Sequence, residues 1–249
     1  GFIFLVGIAS SFAKDEPKNI ASNSVLVLDI SEDFPEQSKS DALTEILSKK
    51  KGKIPSLSEL IALIHHAKTD SAIKGIYIKC QQNPNGYAAS DEIKTALLDF
   101  KLSKKFVIAY GETITQKGYW IGNVADKIYT HPQGGLEWAG FSYETMFLKG
   151  LLDKLEIQPQ VFYAGKFKSA TEPFRATKMS DPNRLQLATI QNHLWNIYTN
   201  DVALSRNLSP AAINSIAVNA QAQNAQDALN LKLVDQLYYW DEVEILLMK

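Results

Sequence analysis

Residues 105–132, KFVIAYGETITQKGYWIGNVADKIYTHP, decide the fold class. The apolar, β-branched run at 105–112 reads as a strand, 115–125 as a short helix, and 126–132 as a second strand. A helix between two such strands lets them lie parallel in one sheet. The alternation continues upstream. SVLVLDIS (24–31) and IKGIYIKC (73–80) are strand runs, and SLSELIALIHHAKTD (56–70) between them carries Leu60, Ile61 and Ile64 at helical spacing. Ser56 followed by Glu59 is a capping-box signature for that helix. DEIKTALLDFKLS (91–103) reads as a helix with acidic residues in its first turn. Downstream, GGLEWAGF (134–141) reads as a turn and short strand, YETMFLKGLLDKLEI (143–157) as a helix, and PQVFYAG (159–165) as a further strand. From residue 180 the chain turns helical. A long helix opens on Asp181 and Pro182, and shorter helices follow in SPAAINSIA, NAQDALNLK and LVDQLYYWDEVEILL. The whole is an α/β pattern with a largely parallel sheet.

The chain has 249 residues, with 45% apolar and 21% charged side chains, an ordinary globular composition. A net charge of −1 gives no basic field for a nucleic-acid partner. The single cysteine, Cys80, ends an apolar run and reads as a buried thiol. The four histidines show no metal-ligand spacing, and His65 and His66 suit the C-terminal dipole of the 56–70 helix. GFIFLVGIASSF (1–12) is apolar but shorter than the ~20 residues that span a bilayer. It is expected to be part of an N-terminal membrane anchor or signal segment, with residues 13–23 a polar tether and 24–249 the folded domain.

No G-x-S-x-G elbow, G-x-G-x-x-G loop or Walker A sequence occurs. YAGKFKSATEPF (163–174) places Lys166 and Lys168 where a strand is expected to run out. A lysine can serve as general base to a serine only when neutral, so its pKa must fall from about 10.4 by burial. Spacing alone leaves this open against two solvated loop lysines.

GKFKSATEPF followed by MSDPNR, with GYWIGNVADKIYTHPQGGLEWAGF and LKGLLDKLEIQPQVFYAG before them and ALNLKLVDQL after, resembles the signal peptide peptidase A (protease IV) family. The likeness covers nearly the whole chain and is to the N-terminal half of the family's long, two-repeat form. It implies a crotonase/ClpP-like spiral of ββα units with a helical C-terminal portion. It also implies a Ser–Lys serine peptidase with Lys168 as the base and no catalytic role for Lys166. The family's serine lies in a motif like Gly-Gly-Met-Ala-Ala-Ser-Gly-Gly-Tyr-Trp. Aligning Gly-Tyr-Trp on GETITQKGYW (111–120) puts Gln116 at the serine position. Its Ser-Pro-Gly-Gly oxyanion turn corresponds to NPNG (83–86), with Asn85 in place of a glycine. Thr115 and Ser90 are hydroxyls of suitable type, but Thr115 is off the aligned position and Ser90 is expected to cap a helix starting at Asp91.

The resemblance therefore implies a half that supplies the base while a C-terminal repeat half supplies the serine, so this chain alone is expected to be inactive. Peptide substrates such as remnant signal peptides, homo-oligomerisation and no cofactor are implied with it. So is a bacterial inner-membrane location with the catalytic domain outside the cytoplasm. The alternative is a non-catalytic scaffold half that assembles the oligomer and shapes a peptide groove. Leu194, Trp195 and Tyr198 of the long helix are expected to meet another half or subunit.

Overall fold

The computed structural model describes residues 20–37 and 54–248. The anchor expected at 1–12 and the tether up to residue 19 lie outside the described residues. One five-stranded sheet carries the fold among them, with strands β1 (Ser24–Asp29), β2 (Ile73–Lys79), β3 (Phe106–Ile114), β4 (Lys127–Leu136) and β5 (Gln236–Leu237) in chain order. Every pairing is parallel, as the strand–helix alternation requires. Helices α1 (Leu57–Thr69), α2 (Tyr87–Lys101) and α3 (Gln116–Gly122) carry the first three crossovers.

Strand side chains alternate between two faces. Ile76, Ile78, Val107, Ala109 and Ile128 join the main core with Leu60, Ile64, Leu97, Phe100 and Ile121 of the crossover helices. Cys80 is fully buried there, and burial pushes its thiol up to about 12. Tyr77, Tyr110 and Tyr129 point to the other face. A later helix, α9 (Trp240–Leu247), covers them by packing Trp240 on Tyr77 and placing Val243 among the tyrosines.

The capping box at Ser56 forms as read: its hydroxyl accepts from the Glu59 N–H, and its own N–H donates to the Glu59 carboxylate at 2.7 Å. Helix α2 begins earlier than its acidic residues suggest. Gly86 is its N-cap, and Ser90 is a buried interior residue rather than a cap. Asn83, in the preceding turn, donates to the Ser90 hydroxyl at 2.9 Å, so the first turn is organised by an amide four residues before the helix.

Beyond β4 the chain makes a long excursion through α4 (Lys149–Lys154) and α5 (Glu172–Arg175) to α6 (Asp181–Arg206), then α7 (Pro210–Val218) and α8 (Ala225–Asn230). The helix expected at 143–157 is confined to α4. The strand expected at 159–165 does not form: this segment has no ladder partner, and Phe162 is 91% exposed. High β-propensity is not a strand until another strand accepts its hydrogen bonds. Helix α6 opens on Asp181 and Pro182 as its sequence predicts, with Ser180 as the N-cap, and ends on Asn207 in the left-handed conformation. Of its expected interface residues, Tyr198 is buried and stacks on Trp120, with ring centroids 4.7 Å apart. Trp195 packs on Trp138, and Leu194 is half-buried. Trp195 and Tyr198 are thus used by their own domain.

Two charged ties fix the excursion to the sheet layer. Buried Lys94 of α2 pairs with Asp201 of α6, and Asn123 donates to the same carboxylate at 3.0 Å. Burial pulls the Lys94 pKa down, and Asp201 opposes that pull. Asp235, just before β5, accepts the Ile128 N–H of β4 at 2.9 Å and Arg206 Nη1 at 3.0 Å.

Candidate active site

Strands β2 and β3 end side by side, so the segments that follow them meet. The turn at 83–86 leaves β2, and α3 leaves β3. Thr115 N–H donates to Gln81 O at 2.9 Å, and Asn83 reaches Lys117 O at 3.4 Å. Gly118 permits the approach: a Cβ there would lie 2.3 Å from Cys80 O. A register shift between Gly111 and Thr113 lets the β3–β4 ladder continue to Ile114 and Leu136, level with the start of α3.

The turn aligned with the oxyanion loop is closed upon itself. Asn85 is 1% exposed, and its backbone N–H donates to Asn83 Oδ1 at 3.1 Å. The Asn85 side chain accepts from Phe34 N–H at 2.8 Å and donates to Glu32 O at 3.0 Å, lashing the turn to the segment after β1. A glycine could form none of these side-chain bonds. The N–H of residue 85 is already committed, so it is not free to hold a developing oxyanion.

Gln116, at the aligned serine position, is the first residue of α3 and is buried. Its Oε1 accepts from Gly140 N–H at 2.9 Å and Ala139 N–H at 3.2 Å, and its Nε2 donates to Gly140 O at 3.1 Å. A carboxamide is no acyl-accepting nucleophile, and this one is fully engaged with the backbone of 139–140. Thr115 is the N-cap of α3, its hydroxyl accepting from Gly118 N–H at 3.2 Å, so that oxygen also has a structural task. Neighbouring Lys117 reaches Pro84 O at 3.4 Å, and burial lowers its pKa against the pull of Asp33.

Lys168 lies on the loop before α5 and is exposed, as is Lys166. Among the described residues no side-chain hydrogen bond or ion pair holds Lys168, and so none joins it to Gln116 or to the 83–86 turn. The loop is nonetheless built. Gly165 turns it at φ +97°, and Lys168 N–H returns to Gly165 O at 3.4 Å. The Arg175 guanidinium sits 4.0 Å from the centre of the Tyr163 ring. Buried Glu172 accepts from Ser180 Oγ at 2.5 Å, Ser180 N–H at 3.2 Å and Asn183 Nδ2 at 3.0 Å. Those bonds, the Ser180 hydroxyl first, hold its pKa below the usual glutamate value and fasten the lysine loop to α6. Sequence reading passed over Glu172 and the clamp at Gln116. The phrase Thr-Glu-Pro followed by Ser-Asp-Pro-Asn was the available signal for the first, a carboxylate a few residues before a cap.

Among the described residues no group of three or more His, Cys, Asp and Glu side chains could hold a metal ion. Nor is any helix among them long and apolar enough to cross a membrane.

The profile of peptidase family S49 matches residues 99–249, which include both α3 and the lysine loop. The chain belongs to peptidase family S49. It is 34% identical over 206 residues to Protease 4 of Salmonella typhi, covering 78% of this chain and 33% of that protein. It is 30% identical over 216 residues to Protease 4 of Haemophilus influenzae, covering 84% of this chain and 35% of the relative. The chloroplastic serine protease SPPA of Arabidopsis thaliana is 25% identical over 190 residues, 76% of this chain and 28% of its own length. The chain thus spans about a third of the length of these curated S49 relatives. Among solved structures, the 1510-N membrane-bound stomatin-specific protease aligns with a TM-score of 0.47 and 14% identity over 90% of this chain and 84% of its own. An enoyl-CoA hydratase/isomerase family protein from Silicibacter pomeroyi gives 0.46 and 13% over 92% and 78%.

Proposed function

We propose that this S49 chain is the half of a Ser–Lys peptidase that supplies the general base, Lys168, to a serine carried by another half. The observation that carries the reading is the division of parts within a family-matched segment: a lysine on a braced, exposed loop, and an amide locked in place at the nucleophile position. An exposed amine is a poor base for a serine hydroxyl, so the reading requires the second half to cover the loop and desolvate it. In the reaction the neutral amine takes the serine proton as the hydroxyl oxygen attacks the peptide carbonyl. The ammonium returns the proton to the leaving amine, and the acyl-enzyme is then opened by water that the same lysine deprotonates. No step calls for a cofactor. The substrates are extended peptides such as remnant signal peptides, met near a membrane to which residues 1–12 anchor the chain. Homo-oligomers are part of this reading, and nucleic acid is not. The cellular place proposed is the bacterial inner membrane, with the peptidase domain outside the cytoplasm.

The test is reconstitution with a serine-bearing half. The chain alone is inactive on a fluorogenic peptide, and the reconstituted enzyme cleaves it at a rate that rises with pH. Lys168→Met lowers the rate by at least about a hundredfold, within the usual range for losing a general base, whereas Lys166→Met leaves most of it. Cleavage by the isolated chain, or a reconstituted enzyme indifferent to Lys168→Met, sinks the assignment.

A second reading, a scaffold half that only shapes the oligomer and a peptide groove, is favoured by the exposure of Lys168 together with the apolar side chains around it, including Phe162 and Phe167. An assembly unaffected in activity by Lys168→Met but dispersed by Phe162→Ser would select it.

A further inference from the structure

Gln116 does more than fail to be a serine. Its side-chain amide takes both main-chain groups of one residue, accepting from Gly140 N–H and donating to Gly140 O, and adds the Ala139 N–H to the same oxygen. One donor and one acceptor facing a single residue's N–H and C=O is the pairing an extended strand makes with its neighbour. The setting is the segment that continues β4 past its end at Leu136. Glu137 N–H still bonds Ile114 O at 2.8 Å, continuing the β3–β4 ladder beyond Leu136. There β3 bends away into α3, and the next rung is made by the Gln116 side chain instead of by backbone. That segment is reachable, since Ala139 is exposed and Gly140 half-buried. Gly140 has φ +87°, and a Cβ built on it meets nothing within 4 Å.

We propose that the backbone of Ala139 and Gly140 is a binding edge for an extended peptide, and that Gln116 occupies it from within this half. A peptide carbonyl on the two N–H groups would stand where the Gln116 oxygen now stands, and the next N–H along the peptide would take the place of Nε2. The amide thereby keeps this half closed to the peptide. The class of ligand rests on the peptidase reading; the occupied donor–acceptor pair does not.

The probe is a fluorescein-labelled, end-blocked decapeptide of alanine and serine around a central leucine, titrated into the full chain without any second half. Anisotropy reports affinity, and amide chemical shifts of Ala139 and Gly140 report place. Gln116→Ala is expected to bind at least tenfold more tightly than the unaltered chain, with both amides shifting on titration. Gln116→Glu keeps an acceptor oxygen but loses the donor, and is expected to fall between the two. Two results overturn the proposal: Gln116→Ala speeds hydrogen exchange at Ala139 and Gly140 yet binds no more tightly, or the peptide binds while leaving those amides unmoved. If Gln116→Ala does not fold, Gln116→Glu decides alone, and affinity equal to the unaltered chain counts against the idea. Because the readout is binding by one half, failure here leaves the Lys168 assignment standing. Failure of the Lys168 test likewise leaves this result readable.

Discussion

The body of the molecule, from β1 through β4, and the arm that follows it, residues 137–180, solve different problems. In the body, Phe100, Ile121 and Tyr119 are fully buried, and several polar groups that go in with them are bonded: Asn83 to Ser90, Asn85 to Phe34, and the Tyr119 hydroxyl to Leu233 O, while the Tyr110 hydroxyl is buried without a partner among the described residues. The arm has only two short helices and leaves Met146 75% and Phe162 91% exposed. It is pinned to the rest at a few places, Gln116 on Gly140, Trp138 Nε1 on Ile213 O and Glu172 on Asn183, and braced within itself by Leu148 N–H on Pro173 O and Ser180 on Glu172. The two positions the family likeness singles out fall on opposite sides of this division. Gln116 belongs to the packed body and Lys168 to the pinned arm. On the proposed reading, the arm is what would bring Lys168 to a serine that the body itself does not hold.

The contrast is broken most directly by paired truncations of one residue type. Phe100→Ala is expected to cost about 3–5 kcal/mol, the usual toll for emptying a phenylalanine site in a packed core. Phe162→Ala should stay within about 0.5 kcal/mol, as for an exposed position without special contacts. Urea unfolding of the isolated chain measures both, and equal losses would erase the distinction.

The next effect concerns the strongest pin. Glu172→Ala strands the Ser180 and Asn183 donors and should cost about 2 kcal/mol, since hydrogen bonds to a charged group are worth roughly 1.5–3. The same carboxylate sets a pH dependence. Its folded pKa lies below the ordinary glutamate value, so its stabilisation is complete above that value and is lost as the pH falls through the folded one. Stability should therefore decline on acidification below about pH 4.5, and less steeply in Glu172→Gln. Denaturant midpoints at pH 6 and pH 3.5 compare the slopes, and parallel slopes would remove Glu172 from the account. Smallest is Ser56→Ala, expected to cost about 1 kcal/mol through loss of a helix cap in the body. A thermal melt showing no change would mean that the box at Ser56 and Glu59 is ornamental.

Local chemistry was legible in the sequence wherever its partner was local. Ser56 and Glu59 are three residues apart, so that cap could be read in place, and Asp181 and Pro182 marked the start of the long helix directly. The parallel sheet followed from alternation, because each crossover helix sits between the strands it joins. PQVFYAG was misread as a strand because the quality that marks a strand from sequence is carried by its own side chains, while the ladder it needs is not. The two-residue β5 has too few side chains to show any period. At the site, alignment gave the positions of Gln116, Asn85 and Lys168 but not their partners. Gly140 lies 24 residues from Gln116, and Phe34 lies 51 from Asn85. Ser90 was taken for a cap because an acid follows it; the Asn83 amide, by bonding that hydroxyl, places it inside the helix instead.

The return of the chain to β4 has a consequence for the order of events in folding. The first four strands and their helices are built from near neighbours, but the tyrosine face they create is covered only when Trp240 and Val243 come back, about a hundred residues after β4 ends. Closing so long a loop costs only about 0.6 kcal/mol more for each doubling of its length, yet it delays a contact far more than it weakens it. Until the Asp235 clasp closes on Ile128 and Arg206, the growing chain carries a wet aromatic sheet face and a free strand edge together. That interval is when it is most exposed to pairing with a wrong neighbour.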